Sequence, residues 1–272
     1  MSASDRRRAE AASAPSTGGV NRPRQTAGAR IGVAGVGGRM GRLLVEEIAT
    51  AGAVLAGGSA RGDDPSVLFA ASDVVIDFTH AHAAPIHAAA AVAAGTPLVL
   101  GSSGLSDAEE DAVRKAAAKV AIVYAANFSP GVNLMLAIAE RMAASLPGAG
   151  YDAEIVEMHH RQKVDAPSGT AVALGRAVAA GRGEPLRMES GRDGHTGPRQ
   201  TGTVGFAALR GGQVVGEHTL LFAAASEHIA LTHRSFDRRV YATGAVRAAL
   251  WLAAGRAPGL YDMKHVLGMA ET

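Results

Sequence analysis

The sequence predicts an α/β protein, a doubly wound parallel sheet followed by a second α+β unit with a mixed or antiparallel sheet. Three observations carry this expectation. Short apolar strands alternate with helical patterns over residues 30–127, joined by connections of a few residues. Those strands are continuous apolar runs, the habit of strands covered on both faces. Beyond residue 128 the alternation gives way to strands in succession.

Taken in order, Ile31–Ala34 is a short strand that runs straight into Gly35-Val-Gly-Gly-Arg-Met-Gly41. Met40, Leu43, Leu44 and Ile48 then recur at helical spacing. Ala53–Ala56 and Val74–Phe78 are the next strands. Pro85 opens an Ala-rich helix that Gly95 closes, each at the end it favours. Leu98–Leu100 is a strand ending in Gly101-Ser-Ser-Gly104, and Ser106 with Glu109 has the spacing of a capping box. Ala121–Tyr124 completes the parallel set. The second unit reads as a helix over 133–146, a strand over 154–158, a polar loop and a helix over 170–180. A long Gly- and Arg-rich loop follows, from Gly181 to Gln200. Thr203–Arg210 and Gln213–Phe222 flank Gly211-Gly212, a two-residue turn that suits an antiparallel hairpin. Ile229–Thr232 adds a strand and Val240–Ala253 a helix.

Composition narrows the function. Hydrophobic residues make up 47% and charged residues 19% of 272, which is globular and large enough for two modest domains. Residues 1–30 hold six Arg against Asp5 and Glu10, a balance of +4, so the overall +2 leaves −2 for the rest. The basic character therefore sits in the tail and does not indicate nucleic acid binding. With no cysteine, disulfides, thiolate metal sites and cysteine nucleophiles are excluded, and the cytoplasm is the expected location. No apolar run approaches the ~20 residues that span a bilayer. Residues 1–29 read as a disordered extension, with an organellar presequence as the alternative.

A Gly-rich turn from a first strand into a helix lets backbone N–H groups approach a pyrophosphate, so Gly35, Val36, Gly37, Gly38, Arg39 and Met40 are candidate dinucleotide contacts in a Rossmann-like unit. The spacing is not the strict G-x-G-x-x-G, because Met40 holds the third glycine position and Gly41 follows it. The adenosine ribose is expected at the end of the second strand, where Arg61 suits a 2′-phosphate, while Asp63 and Asp64 stand close enough to serve a ribose instead. Gly101, Ser102 and Ser103, and Ala125, Ala126, Asn127 and Phe128, also fall at the ligand-binding carboxyl edge of the sheet. Turn formation explains the two serines equally well.

Chemistry concentrates in Glu157-Met-His-His-Arg-Gln-Lys-Val-Asp-Ala-Pro-Ser-Gly-Thr170. Ser168, Gly169 and Thr170 open a helix and offer hydroxyls and free N–H groups together, a combination that suits a carboxylate. His159 or His160 can exchange protons near neutrality, and Lys163 can neutralise an anion or donate a proton. Adjacent histidines point to opposite sides of an extended chain, and no carboxylate spacing completes a metal set. His80, His82 and His87 read as incidental, so no metal is expected.

These pieces carry a resemblance. GVGGRMGR (35–42), DFTH (77–80), GSSG (101–104), AANFSPGVN (125–133), HHRQKVDAPSGTA (159–171), GEH (216–218) and ATGAVRAALWL (242–252) make the chain similar to the 4-hydroxy-tetrahydrodipicolinate reductase (dihydrodipicolinate reductase) family over nearly all of residues 30–269. The resemblance implies reduction of a cyclic 4-hydroxy-dicarboxylate, with loss of water, by NADPH or NADH. It implies His159 and Lys163 as acid/base groups, His160, Gly169 and Thr170 as substrate contacts, and Arg238 as a further carboxylate contact. It also implies a homotetramer built through the second sheet and a final helix that returns to the nucleotide unit. The expected division is 30–127 with 241–272 for the cofactor, and 128–240 for substrate and assembly. Ala60 stands where this family often has an acidic residue, which puts a preference for NADH in question. Two other readings remain from the residues alone: another Rossmann reductase, which would need a different substrate loop, or a dinucleotide sensor without turnover.

Overall fold

The computed structural model describes residues 28–270, so all but the last two residues of the expected 1–29 extension lie outside the described residues. Six parallel strands form the first sheet: β1 (Arg30–Ala34), β2 (Val54–Ser59), β3 (Val74–Asp77), β4 (Leu98–Leu100), β5 (Ala121–Tyr124) and β11 (Gly259–Tyr261), in spatial order β11-β5-β4-β3-β1-β2. Ile31, Val33, Val74, Ile76, Val99 and Val123 pack on one side against α1 (Arg39–Thr50) and α7 (Arg239–Ala253). Val75, Leu98, Leu100 and Ile122 pack on the other against α2 (Pro65–Ala71), α3 (Ala84–Ala94) and α4 (Asp107–Ala117). Helices on both faces explain the unbroken apolar strands.

Local signals fall where expected. Gly95 closes α3 at φ +66°, and Ser106 and Glu109 form a reciprocal capping box on α4. The short helix α2, capped by Asp64, and the closing elements β11 and α8 (Met263–Val266) were not anticipated.

The second sheet has five strands in the order β10-β9-β6-β8-β7: β6 (Asp152–His159), β7 (Met188–Ser190), β8 (Val204–Arg210), β9 (Gly216–Ala223) and β10 (His228–Ser235). One face is covered by α5 (Pro130–Ser145) and α6 (Gly169–Arg182), through Met135, Ala139, Leu174 and Val178 packed on Ile155, Leu220 and Phe222. The opposite face leaves Val156 and Leu209 exposed, while Ile229, which pairs with Phe222 on the covered side, is exposed on the edge strand β10.

The expected hairpin around Gly211-Gly212 is wrong. β8 and β9 are not neighbours; β6 lies between them, parallel to β8 and antiparallel to β9. This arrangement satisfies both edges of β6, one of which a hairpin would have left open. The glycines instead step across the end of β6. Gly211 N–H donates to His159 O at 2.9 Å, and Arg161 N–H donates to Gly212 O at 3.3 Å. The loop expected over Gly181–Gln200 also contains the edge strand β7, and α6 runs on to Arg182 before Gly183 closes it at φ +66°.

Two crossings join the sheets, residues 125–129 from β5 into α5 and residues 236–238 from β10 into α7. At the first, α7 rests directly on the chain, since a Cβ on Gly244 would lie 1.7 Å from Phe128 O. No helix among the described residues is long and apolar enough to cross a membrane.

Candidate active site

The turn after β1 is built from backbone bonds. Gly35 and Val36 donate to Ser59 O at 2.8 and 3.1 Å, Gly38 donates to Gly35 O at 2.9 Å, and Gly35 holds φ +73°. Gly41 explains its own displacement from the strict motif: a Cβ there would lie 2.3 Å from Gly35 O and 2.6 Å from Val36 O. That glycine lets helix and turn touch. Gly37, by contrast, has open space around it, and Gly38 caps α1 without any side-chain bond. With no acidic residue in its first turn, the positive end of α1 stands free for an anion.

The neighbouring strand ends differ in what they present. Arg61 is exposed, whereas Asp63 accepts the Ala60 N–H at 2.8 Å and Asp64 caps α2. Asp77 is fully buried; its Oδ1 accepts from Thr79 N–H at 2.7 Å and its Oδ2 faces His87 Nδ1 at 2.6 Å. The DFTH segment thus works as a brace, and Phe78 lies so close to Gly101 that a Cβ there would be 2.4 Å from the ring. His82 pairs separately with Glu109 at 2.7 Å, leaving His80 exposed. Ser102 buries its Oγ without a hydrogen-bond partner among the described residues, while Ser103 is exposed. Asn127 turns its Oδ1 to Ser129 N–H at 2.8 Å and its Nδ2 to Thr170 Oγ1 at 3.3 Å. Ala126 beside it is exposed and Ala125 half-buried.

Strand alternation places Glu157 and His159 on the covered face of β6. Glu157 is 1% exposed and receives four bonds: Arg210 Nη1 and Nη2 at 2.8 and 2.7 Å, Ser168 N–H at 3.1 Å, and His159 Nδ1 at 2.6 Å. Burial opposes its charge, but these donors together hold the carboxyl below its ordinary range. Burial pushes the His159 imidazole down, and the Glu157 carboxylate opposes that shift. Ser168 caps α6 by accepting the Ala171 N–H at 3.2 Å, and its Oγ meets His218 Nε2 at 2.9 Å. His218, buried beneath the His159 ring at 5.1 Å between centroids, is pushed down to about 4 by burial and by the neighbouring histidine. Lys163 pairs with Asp165 at 2.8 Å, and this holds the Asp165 carboxyl below its usual range. Gly169 is exposed at the start of α6 with nothing near its Cα to hinder an approaching group.

A cavity of about 720 Å³ brings the two halves together. Gly37, Arg39 and Arg42 line one side; His160, Phe236 and Arg238 line the other. Met40, Arg61, His159, Lys163, Ser168 and Gly169 do not line it, and the Asn127–Thr170 bond and the Lys264–Glu140 ion pair at 3.0 Å also join the halves. Glu157, Arg210 and His218 were not singled out as site residues. Glu157 carried a signal as the first residue of the 157–170 segment and His218 as the last of the GEH segment; Arg210 carried none.

Two sheets, an open glycine turn at the carboxyl edge of the parallel one, a cavity shared between that turn and His160 and Arg238, and an acid/base cluster on the same loop as His160 define a dinucleotide-dependent oxidoreductase. The family profile described as "Dihydrodipicolinate reductase, N-terminus" matches residues 29–128, and that described as "Dihydrodipicolinate reductase, C-terminus" matches residues 131–267. The chain belongs to the dihydrodipicolinate reductase family, which uses a nicotinamide dinucleotide. It is 63% identical over 254 residues to the 4-hydroxy-tetrahydrodipicolinate reductase of Granulibacter bethesdensis, covering 88% of this chain and 97% of the relative. It is 59% identical over 242 residues to that of Acidiphilium cryptum, covering 88% and 98%. Among solved structures, dipicolinate-bound dihydrodipicolinate reductase from a Paenisporosarcina species shares the fold with a TM-score of 0.71 at 22% identity, covering 86% of this chain and 97% of that one.

Proposed function

We propose that this chain reduces 4-hydroxy-tetrahydrodipicolinate to tetrahydrodipicolinate with loss of water, on the route through diaminopimelate to lysine. The observation that carries the reading is the shared cavity, where Gly37 and Arg39 face His160 and Arg238. Its residues fit a dinucleotide: the first turn of α1 is uncapped and unopposed by acids, and Ser102 keeps an unpartnered buried hydroxyl at the same sheet edge. When bound, the reduced nicotinamide supplies the hydride.

The chain's own groups supply the rest. Gly35, Val36, Gly37, Gly38, Arg39 and Met40 hold the pyrophosphate; Gly101, Ser102, Ser103 and residues 125–128 line the path toward the ring. Arg238, His160 and the N–H groups of Gly169 and Thr170 receive the substrate carboxylates, an anion-to-helix-terminus pairing. Lys163 gives the proton that balances the hydride, and His159 exchanges protons beside it as the hydroxyl leaves as water. Arg61 accepts a 2′-phosphate, so NADPH serves at least as well as NADH.

In this reading 30–127 with 241–272 form the cofactor unit and 128–240 the substrate and assembly unit, supported by the packing of α7 on the parallel sheet. A homotetramer in the cytoplasm completes it, with exposed Val156 and Leu209 on the uncovered face of the second sheet as the apolar surface that copies would cover. The test is a coupled assay with substrate generated by the preceding synthase, following loss of reduced-nicotinamide absorbance. Turnover is expected. Tight nucleotide binding without turnover would favour a sensor.

A further inference from the structure

Resting on the reading of His159 as the acid/base group, we infer that Glu157, clamped by Arg210, is the positioning residue that fixes the His159 tautomer and moors the loop bearing Lys163. Glu157 touches neither cavity nor turn, yet it is 1% exposed and bonded on every side. A carboxylate only accepts, so at the 2.6 Å contact His159 must donate from Nδ1. That leaves Nε2 as the exchanging nitrogen, and it makes no hydrogen bond among the described residues.

Arg210 serves both tasks. Its guanidinium forms the paired contact with Glu157, and Nη2 also donates to Asp165 O at 2.6 Å, two residues beyond Lys163. Gly211 then fixes the His159 carbonyl from the next position in the chain. The last residue of β8 thereby ties together the histidine, its orienting carboxylate and the lysine loop. Ser168 N–H, also on Glu157, extends the same knot to the first turn of α6. A buried carboxylate with a bidentate arginine is costly to desolvate and is better explained by geometry than by stability. The charged and titratable groups facing His159 are Glu157 on its own strand, Arg210 on β8, His218 on β9 and Lys163 on the loop.

The test is Glu157→Gln in the intact enzyme, with His159 followed by ¹⁵N NMR and kcat measured against pH. Loss of the Nδ1–H tautomer, a downward move of the His159 titration and a fall in kcat of about 10²-fold, with nucleotide affinity unchanged, are expected. Arg210→Gln is the companion, because it leaves the carboxylate on His159 but frees the loop. It should keep the Nδ1–H tautomer and still lose kcat. Wild-type tautomer and titration in Glu157→Gln would overturn the inference. A changed tautomer with an unchanged kcat–pH profile would overturn it differently, by removing His159 from the chemistry while leaving the geometry intact. Should Glu157→Gln fail to fold, retention of full kcat in Arg210→Gln would overturn the mooring role on its own.

Discussion

Asn127 Nδ2 donates to Thr170 Oγ1 at 3.3 Å, so the end of the parallel sheet is bonded to the first turn of α6 in the second unit. Its Oδ1 takes the Ser129 N–H and its carbonyl takes Asn133 Nδ2, both at 2.8 Å, which fixes the side chain and the turn. Thr170→Val keeps the shape and removes the acceptor. It should raise the KM for the dicarboxylate about tenfold, roughly 1.4 kcal/mol, and leave the dissociation constant of the nucleotide unchanged. Equal weakening of both ligands would show that Thr170 serves the cofactor instead.

Much of this was legible in the residues, for local reasons. The Ser106–Glu109 box, the Pro85 and Gly95 boundaries and the glycine turn are each decided within a few positions, where backbone chemistry has few solutions. Strand order is not local. The pairing of β6 between β8 and β9 joins segments about fifty to seventy residues apart, and a Gly-Gly pair reads the same whether it closes a hairpin or steps over a strand. β7 escaped notice because Met188-Glu-Ser190 pairs on one side only and buries little. His218 acquires its meaning from Ser168, 50 positions earlier, a contact that no periodicity announces.

Two glycines of the turn should behave differently. Gly41→Ala drives a Cβ into two carbonyl oxygens of the backbone, at 2.3 and 2.6 Å, and neither can swing aside. A drop in Tm of several degrees is expected even without nucleotide, because roughly 1–3 kcal/mol of overpacking acts on the native state. Gly37→Ala meets nothing within 4 Å and has no positive φ. Its Tm should match the wild type while nucleotide affinity falls, since only an incoming pyrophosphate would meet the new methyl. Equal nucleotide affinity in Gly37→Ala, by calorimetry, would remove the turn from the binding site.

Lys163 holds its ammonium 2.8 Å from Asp165 on the surface of the loop. Lys163→Ala should lower kcat by about 10²-fold or more with nucleotide affinity unchanged, the loss typical of a missing proton donor. Steady-state kinetics and nucleotide titration separate the two. An active variant refutes the role.

His218 makes stability fall with acid. Its folded pKa is about 4, against 6.5 for a free imidazole, so the unfolded chain takes a proton first. Above pH 6.5 the residue contributes no pH dependence; between 6.5 and 4 each step down favours unfolding, by about 3 kcal/mol in total. His159 and His233, also pushed down by burial, add in the same sense. Glu157, held low, loses its stabilising charge only at lower pH still. His218→Gln keeps an acceptor for the Ser168 hydroxyl and should flatten the fall of Tm over that window. An unchanged slope would mean that His218 is charged in the native protein.

Cofactor choice turns on the end of β2. Asp63 spends its Oδ2 on the Ala60 N–H, and Asp64 spends its Oδ1 on the Ser66 N–H. Each is held in the local turn by one oxygen and keeps the other free among the described residues, so the test of cofactor choice falls on Arg61 beside them. Arg61 is exposed and makes no ion pair among the described residues, which leaves its guanidinium to a 2′-phosphate. Arg61→Ala should lower kcat/KM for NADPH about tenfold and leave NADH unaffected, a difference of roughly 1.4 kcal/mol. Because the contact is at the surface, the NADPH advantage should also shrink as salt is raised. A wild-type enzyme preferring NADH by about tenfold, or an Arg61→Ala variant that lost both cofactors equally, would place the 2′-phosphate elsewhere.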